Sequence, residues 1–253
     1  MPATAVYIHG AFISDSAWWW APVAGILSKH GIESKTVDLP SCGPVGPLGG
    51  LADDTRRVGE VIDSLPGPVI LVGHSYGGAV ISGAAVGRPN VAHLVYISAV
   101  VPDGTSVVDC GFIPADDVPE LDIRDDGTVG EGGQRFKSRV LESLPDPAMT
   151  EEAVRRLTRQ SVASFTDPPT GAAWKDVPSS FIICQYDADV PISAQRTHAS
   201  RTGAVHEVPT NHFAHLERPD LVAQVIVDIA AKLESVPAAG VSLAASDAVP
   251  GDS

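Results

Sequence analysis

A chain of 253 residues is long enough for one sizeable α/β domain built around a single core. Its formal net charge of −14 argues against a nucleic-acid partner, which requires a concentrated Lys/Arg surface. Three widely spaced cysteines (Cys42, Cys110, Cys184) form neither a disulfide framework nor a zinc pattern, so a reducing cytoplasm is expected. No basic-then-apolar leader precedes the first strand and no apolar run has the length of a membrane span, so no membrane partner is expected.

Strand-like and helix-like runs alternate, the pattern of a parallel sheet with crossover helices. Residues 6–9 read as a first buried strand. Trp19, Val23, Ile26 and Leu27 then recur at helical spacing behind a Ser14-Asp15-Ser16 cap region. A strand over 32–37, a Pro/Gly-rich loop over 38–50 and a helix carrying Leu51, Val58, Ile62 and Leu65 follow. The run Pro68-Val-Ile-Leu-Val-Gly73 is apolar throughout, which suits a strand at the sheet centre. A helix over 79–86 and a strand over 92–97 come next. From 101 to 175 the rhythm breaks into acidic, Gly-rich and Pro-rich stretches around one helix expected over 151–161. An insertion of that length reads as a cap or lid over a site. Strands over 180–186 and 204–208, a helix over 192–200 and a final amphipathic helix from Pro219 complete the core. The expected division is a core of residues 1–100 and 176–236, a cap of 101–175 and a disordered tail of 237–253.

Gly73-His74-Ser75-Tyr76-Gly77 joins the most apolar strand to a helix, the context that a G-x-S-x-G nucleophile turn requires. Glycine two residues to either side of Ser75 leaves room for that turn. The helix that follows points its N-terminus at the serine, favouring a developing oxyanion. A carboxylate nucleophile would need Asp at 75. A serine hydroxyl needs a base, and in this topology the chain order is Ser, acid, His. Among eight histidines, His212 lies between the last strand and the last helix and is the expected base. His215 is its rival, read as a packing residue, and His206 falls inside the preceding strand. The pair His212 and His215 lacks a third ligand nearby, so no metal and no other cofactor is expected. The acid should follow the penultimate strand, where Asp187 precedes Pro191 by four residues. Asp189 remains an alternative, with loop orientation or helix capping as its other reading, and Asp103 is a third candidate. After the first strand, in His9-Gly10-Ala11-Phe12, the N–H of Ala11 can pair with that of Tyr76 as an oxyanion hole. His9 reads as a structural neighbour of that loop. Phe12, His74 and Trp18 are expected to bind substrate, with core packing as the alternative reading for the cluster Trp18, Trp19 and Trp20.

These residues resemble the α/β-hydrolase superfamily as far as about residue 235. Within it the chain is similar to the compact group of plant methylesterases, hydroxynitrile lyases and bacterial arylesterases. The stretches His9-Gly-Ala-Phe with its Trp run, Leu94-Val-Tyr-Ile-Ser-Ala-Val-Val-Pro102 and Cys184-Gln-Tyr-Asp-Ala-Asp-Val-Pro191 carry the likeness. The resemblance implies an α/β-hydrolase fold, a mostly parallel six-stranded sheet flanked by helices, with a small cap insertion and a Ser75–His212–Asp187 triad. It departs from the lyases, which carry Lys after the catalytic His and Thr after the first-strand His, where this chain has Phe213 and Gly10. The expected activity is hydrolysis of a small, largely apolar carboxylic ester by a monomer or homodimer. A lactonase, thioesterase, C–C hydrolase, cofactor-free lyase or cyclase, or a non-catalytic receptor are the rivals.

Overall fold

Six strands set the architecture: β1 (Thr4–Ile8), β2 (Glu33–Val37), β4 (Val69–His74), β5 (Val91–Ile97), β9 (Ser179–Cys184) and β10 (Ala204–Val208). The computed structural model describes residues 1–112, 122–130 and 134–235. Every neighbouring pair in this sheet is parallel, and the strand order is β10-β9-β5-β4-β1-β2. β4 and β5 therefore occupy the middle, and β4 is buried along its whole length. That is why its sequence is apolar without alternation: a central parallel strand has no wet face.

The two-residue period sends alternate side chains to opposite cores. Tyr7, Ile70, Val72, Val95 and Ile97 pack on one face, against α1 (Ser16–Lys29) and α9 (Pro219–Ser235). Val6, Ile8, Leu71, Leu94 and Tyr96 pack on the other, against α2 (Leu51–Asp63) and α3 (Gly77–Ala84). The chain leaves β1 toward β2 on one side and returns to β4 on the other. This reversal opens a crevice between the C-terminal ends of β1 and β4, where ligands of open α/β sheets bind.

The start of α1 is held across the sheet. Its N-cap Asp15 adopts left-handed backbone (φ 59°) and offers no side-chain cap, and Ser16 N instead donates to Asp38 Oδ1 at 2.8 Å. The Ser14-Asp15-Ser16 signal thus locates the helix start, while the capping carboxylate comes from the end of β2.

The insertion contains a second, small sheet. β6 (Asp122–Ile123), β7 (Thr128–Gly130) and β8 (Arg159–Ser161) pair antiparallel and extend to β3 (Cys42–Gly43) of the core, in the order β3-β8-β7-β6. Strands this short carry no readable alternation, which is why the sequence looked irregular here. The Arg159 guanidinium is buried and binds Thr128 Oγ1 and Asp122 Oδ2, at 2.7 and 2.6 Å, locking the hairpin. Helices α4 (Gln134–Val140), α5 (Pro147–Arg155) and α6 (Ala163–Thr166) complete it.

The helix expected over 151–161 is corrected to α5. Asp146 caps its start by accepting from Ala148 N at 2.9 Å, with Pro147 in the first turn. Its end comes at Arg155 because the next residues are drawn into extended pairing with the loop after β1. The tail expected over 237–253 lies outside the described residues.

Candidate active site

The loops after β1, β4, β9 and β10 converge on a cavity of about 280 Å³ at the C-terminal edge of the sheet. Ser75, Ala11, Phe12, His74, Tyr76, Asp189 and His212 all line it, together with Val and Phe side chains from the insertion.

Ser75 stands at φ 52°, a left-handed conformation that a non-glycine residue adopts only where its surroundings enforce it. Its N–H donates to Ile97 O at 3.1 Å, and its carbonyl accepts from Gly78 N and Val100 N. The turn is crowded: a Cβ on Gly73 would sit 2.7 Å from Gly77 O, and one on Gly77 2.6 Å from Ile8 O. Glycine at both positions is a steric requirement.

His212 is buried, and its Nδ1 lies 2.8 Å from Asp187 Oδ2. That bond fixes the tautomer with hydrogen on Nδ1 and leaves Nε2 for the cavity. The Asp187 side chain is buried too. Its Oδ1 accepts from the N–H groups of Asp189 and Val190, at 2.9 and 2.8 Å, and its Oδ2 accepts from Ser98 Oγ at 2.6 Å. Burial opposes the charge on Asp187, but the facing imidazole and these donors outweigh it and hold the carboxyl below its usual range. For His212 burial again opposes the charge, and the attraction of Asp187 raises it above its ordinary value, with a further contribution from Asp189.

Asp189, the alternative acid, sits on the other side of the ring, Oδ2 3.8 Å from His212 Nε2, and borders the cavity. It does not cap α7 (Ile192–Ala199), whose N-cap is Pro191 without a side-chain bond. Asp103 lies 3.7 Å from Lys175 Nζ and 4.0 Å from Arg201 Nε.

His74 lines the cavity, and its Nε2 lies 3.0 Å from His212 O, tying the elbow to the histidine loop. Burial, then the neighbouring His212, hold His74 well below its ordinary pKa. A neutral ring with hydrogen on Nε2 donates to that carbonyl. His215 is buried and stacks on Trp20, with centroids 4.2 Å apart, and burial lowers it to about 3. His206 lies in β10. His9 Nδ1 donates to Gly10 O at 2.7 Å and its Nε2 accepts from Leu39 N at 3.2 Å.

The placement of Trp18 in the pocket is corrected. None of the three tryptophans is among the residues lining the cavity. Helix α1 turns Trp19 and Trp20 into the core, where Trp20 stacks on Tyr7 at 4.6 Å, and leaves Trp18 half-buried at the core's edge beneath the Arg156 guanidinium. Phe213 and Phe165 supply cavity aromatics instead.

Several supporting residues carried no sequence signal. Asn211 Oδ1 accepts from Ala188 N and His212 N, both at 2.8 Å, stitching the loop after β9 to the loop after β10. Gln195 donates to Val190 O at 2.9 Å, and Tyr76 Oη donates to buried Asp54 Oδ2 at 2.6 Å. Burial raises Asp54 to about 6, against the hydrogen bonds from Ser41 and Tyr76. Such polar residues look ordinary on a helix or loop until the fold shows what they face.

Among the described residues, no group of three or more His, Cys, Asp or Glu side chains could hold a metal ion, and no helix is long and apolar enough to cross a membrane.

The pyrethroid hydrolase of Sphingobium wenxiniae is 28% identical over 246 residues, covering 89% of this chain and 86% of that protein. The alpha/beta hydrolase nvfD of Aspergillus novofumigatus is 29% identical over 217 residues, 79% of this chain and 86% of its own. The crystal structure of a pyrethroid hydrolase from Sphingobium faniae superposes with a TM-score of 0.76 at 23% identity, over 92% of this chain and 99% of that one. The pattern of one family matches residues 5–225, nearly the whole described chain. By that match, this chain belongs to the alpha/beta hydrolase family.

Proposed function

We propose that the protein hydrolyses a small, largely apolar carboxylic ester through an acyl-enzyme on Ser75. The observation that carries this reading is the His212–Asp187 pair at 2.8 Å, with the far side of the imidazole opening on the cavity that Ser75 also lines. His212 Nε2 takes the hydroxyl proton as Ser75 Oγ attacks the ester carbonyl. The oxyanion is received by the N–H groups of Ala11 and Tyr76, which both border the cavity and donate no hydrogen bond among the described residues. Imidazolium His212, stabilised by Asp187, then protonates the departing alkoxide. A water deprotonated by His212 attacks the acyl-enzyme, and collapse of the second tetrahedral intermediate returns the proton to Ser75 and releases the acid.

Substrate class follows from the lining. Val100, Val107, Phe112, Val129, Phe165 and Phe213 offer apolar contact, and none of the described lining residues is Lys or Arg. The cavity sits near the lower end of the ~300–1,000 Å³ range of small-molecule sites. An uncharged ester with compact aromatic or branched groups fits such a space. The names of relatives, a pyrethroid hydrolase among them, support ester cleavage. A domain boundary near residue 100, with the insertion as a cap over the cavity, belongs to the same proposal.

A panel of p-nitrophenyl esters tests the reading, with a fluorophosphonate probe beside it. Wild type should turn over short and medium acyl esters and take one phosphonate per chain, and Ser75→Ala should lose both. Turnover or labelling that persists in that variant would overturn the assignment.

A further inference from the structure

We infer that Gln160, contributed by the insertion, is a positioning residue that aims the Ala11 amide at the scissile carbonyl; this rests on the reading of Ala11 as an oxyanion donor. The strap over residues 156–161 runs back along residues 12–14 of the core. Ser14 N donates to Arg156 O at 2.9 Å, Ile13 bridges Leu157 in antiparallel fashion, and Thr158 N donates to Phe12 O at 2.8 Å. Gln160 closes the set: its Oε1 accepts from Phe12 N at 2.9 Å.

These contacts constrain the amide from both sides. The peptide plane that carries the Ala11 N–H has its carbonyl end, Gly10 O, held by His9 Nδ1 at 2.7 Å. The next plane, between Ala11 and Phe12, is held by Gln160, and the one after by Thr158. Phe12 between them is at φ 63°, so the loop does not rest in an ordinary well but is kept there by its partners.

Gln160 is itself fully buried, and its orientation is determined. Nε2 donates to Ser164 Oγ at 3.0 Å and to Ser41 Oγ at 3.2 Å, and the Ser164 hydroxyl is already committed as donor to Ser161 O. The carboxamide oxygen must then face Phe12. A neutral side chain with both ends engaged is a stiff brace, and a methionine of similar volume would remove the oxygen that accepts from the Phe12 N–H. The insertion on this account completes the oxyanion hole as well as roofing the cavity.

Two variants separate positioning from bulk packing. Gln160→Met keeps volume and loses the acceptor, whereas Gln160→Glu keeps an acceptor toward Phe12 and loses the donors. Rates are measured on a p-nitrophenyl ester and normalised to sites titrated with fluorophosphonate. Inhibition by a trifluoromethyl ketone, whose adduct bears an oxyanion, is compared with that by the matching methyl ketone. Gln160→Met should lower kcat by about 10- to 100-fold with KM within about threefold, and weaken the trifluoromethyl ketone in parallel while leaving the methyl ketone unchanged. Gln160→Glu should recover most of that kcat. Equal losses in the two variants, or a rise in KM with kcat per titrated site intact, would overturn the inference while leaving the esterase reading in place. A wild-type protein without esterase activity would overturn both.

Discussion

The two aspartates that straddle His212 meet its ring in different ways. Asp187 meets Nδ1 at 2.8 Å and accepts from Ser98 Oγ and the N–H groups of Asp189 and Val190, and Asp189 stands 3.8 Å from Nε2 at the cavity edge. Replacing Asp187 by Asn removes the acceptor that sets the tautomer, and kcat should fall by about 10³- to 10⁴-fold. Asp189→Asn should act differently. As the proposed base His212 acts only when neutral, so activity should rise with pH through a His212 pKa that lies above the ordinary histidine value. Removing the Asp189 charge lowers that pKa, and the acid limb of kcat/KM should move to lower pH with the plateau changed less than about tenfold. A pH–rate profile of both variants checks this. The reverse order of severity would make Asp189 the acid.

At the scale of elements, the sheet was legible because its strands obey simple rules. β4 reads as a central strand from its unbroken apolar run, and α9 as a final helix from Val222, Ile226 and Ile229 at helical spacing. The tight turn at Ser75 was legible too, since Gly73 and Gly77 have no room for a side chain. What could not be read depends on partners far along the chain. Residues 156–161 carry helix-compatible side chains, yet Phe12, Ser14 and Ser41 offer hydrogen bonds that hold them extended. Trp18 was misplaced for a related reason, because three consecutive aromatics on a helix cannot share one face and sequence alone does not say which is turned out. The overlooked signal in the insertion is Asp146-Pro147, an N-cap with proline behind it. Asp146→Ala should weaken α5 by about 1 kcal/mol, seen as faster amide hydrogen exchange in residues 148–153, with kcat little changed. Unchanged exchange would mean that the cap contributes nothing.

For the whole molecule, buried neutral histidines make stability depend on pH. His9, His74 and His215 are each held below the ordinary value of 6.5 by burial, so below that pH the unfolded chain binds protons that the folded one refuses. Each such group costs up to about 1.4 kcal/mol of stability per pH unit. Asp54, raised to about 6, works the other way below that pH, as do Glu217 and His212, which are also raised, but these stand against five lowered rings, since His93 and His198 are each held at about 4 by burial. The urea midpoint should therefore fall between pH 7 and pH 5; a midpoint that stays level or rises would contradict this. The same topology that buries these rings brings residues 11, 75 and 212 to one cavity across a separation of some 200 positions, with Asp187 behind the imidazole. Phosphonylation kinetics followed by mass spectrometry test that convergence most directly. One adduct should map to the peptide containing Ser75 and form about 10³-fold more slowly or worse in His212→Asn. An adduct on another residue, or wild-type labelling rates in that variant, would contradict the account.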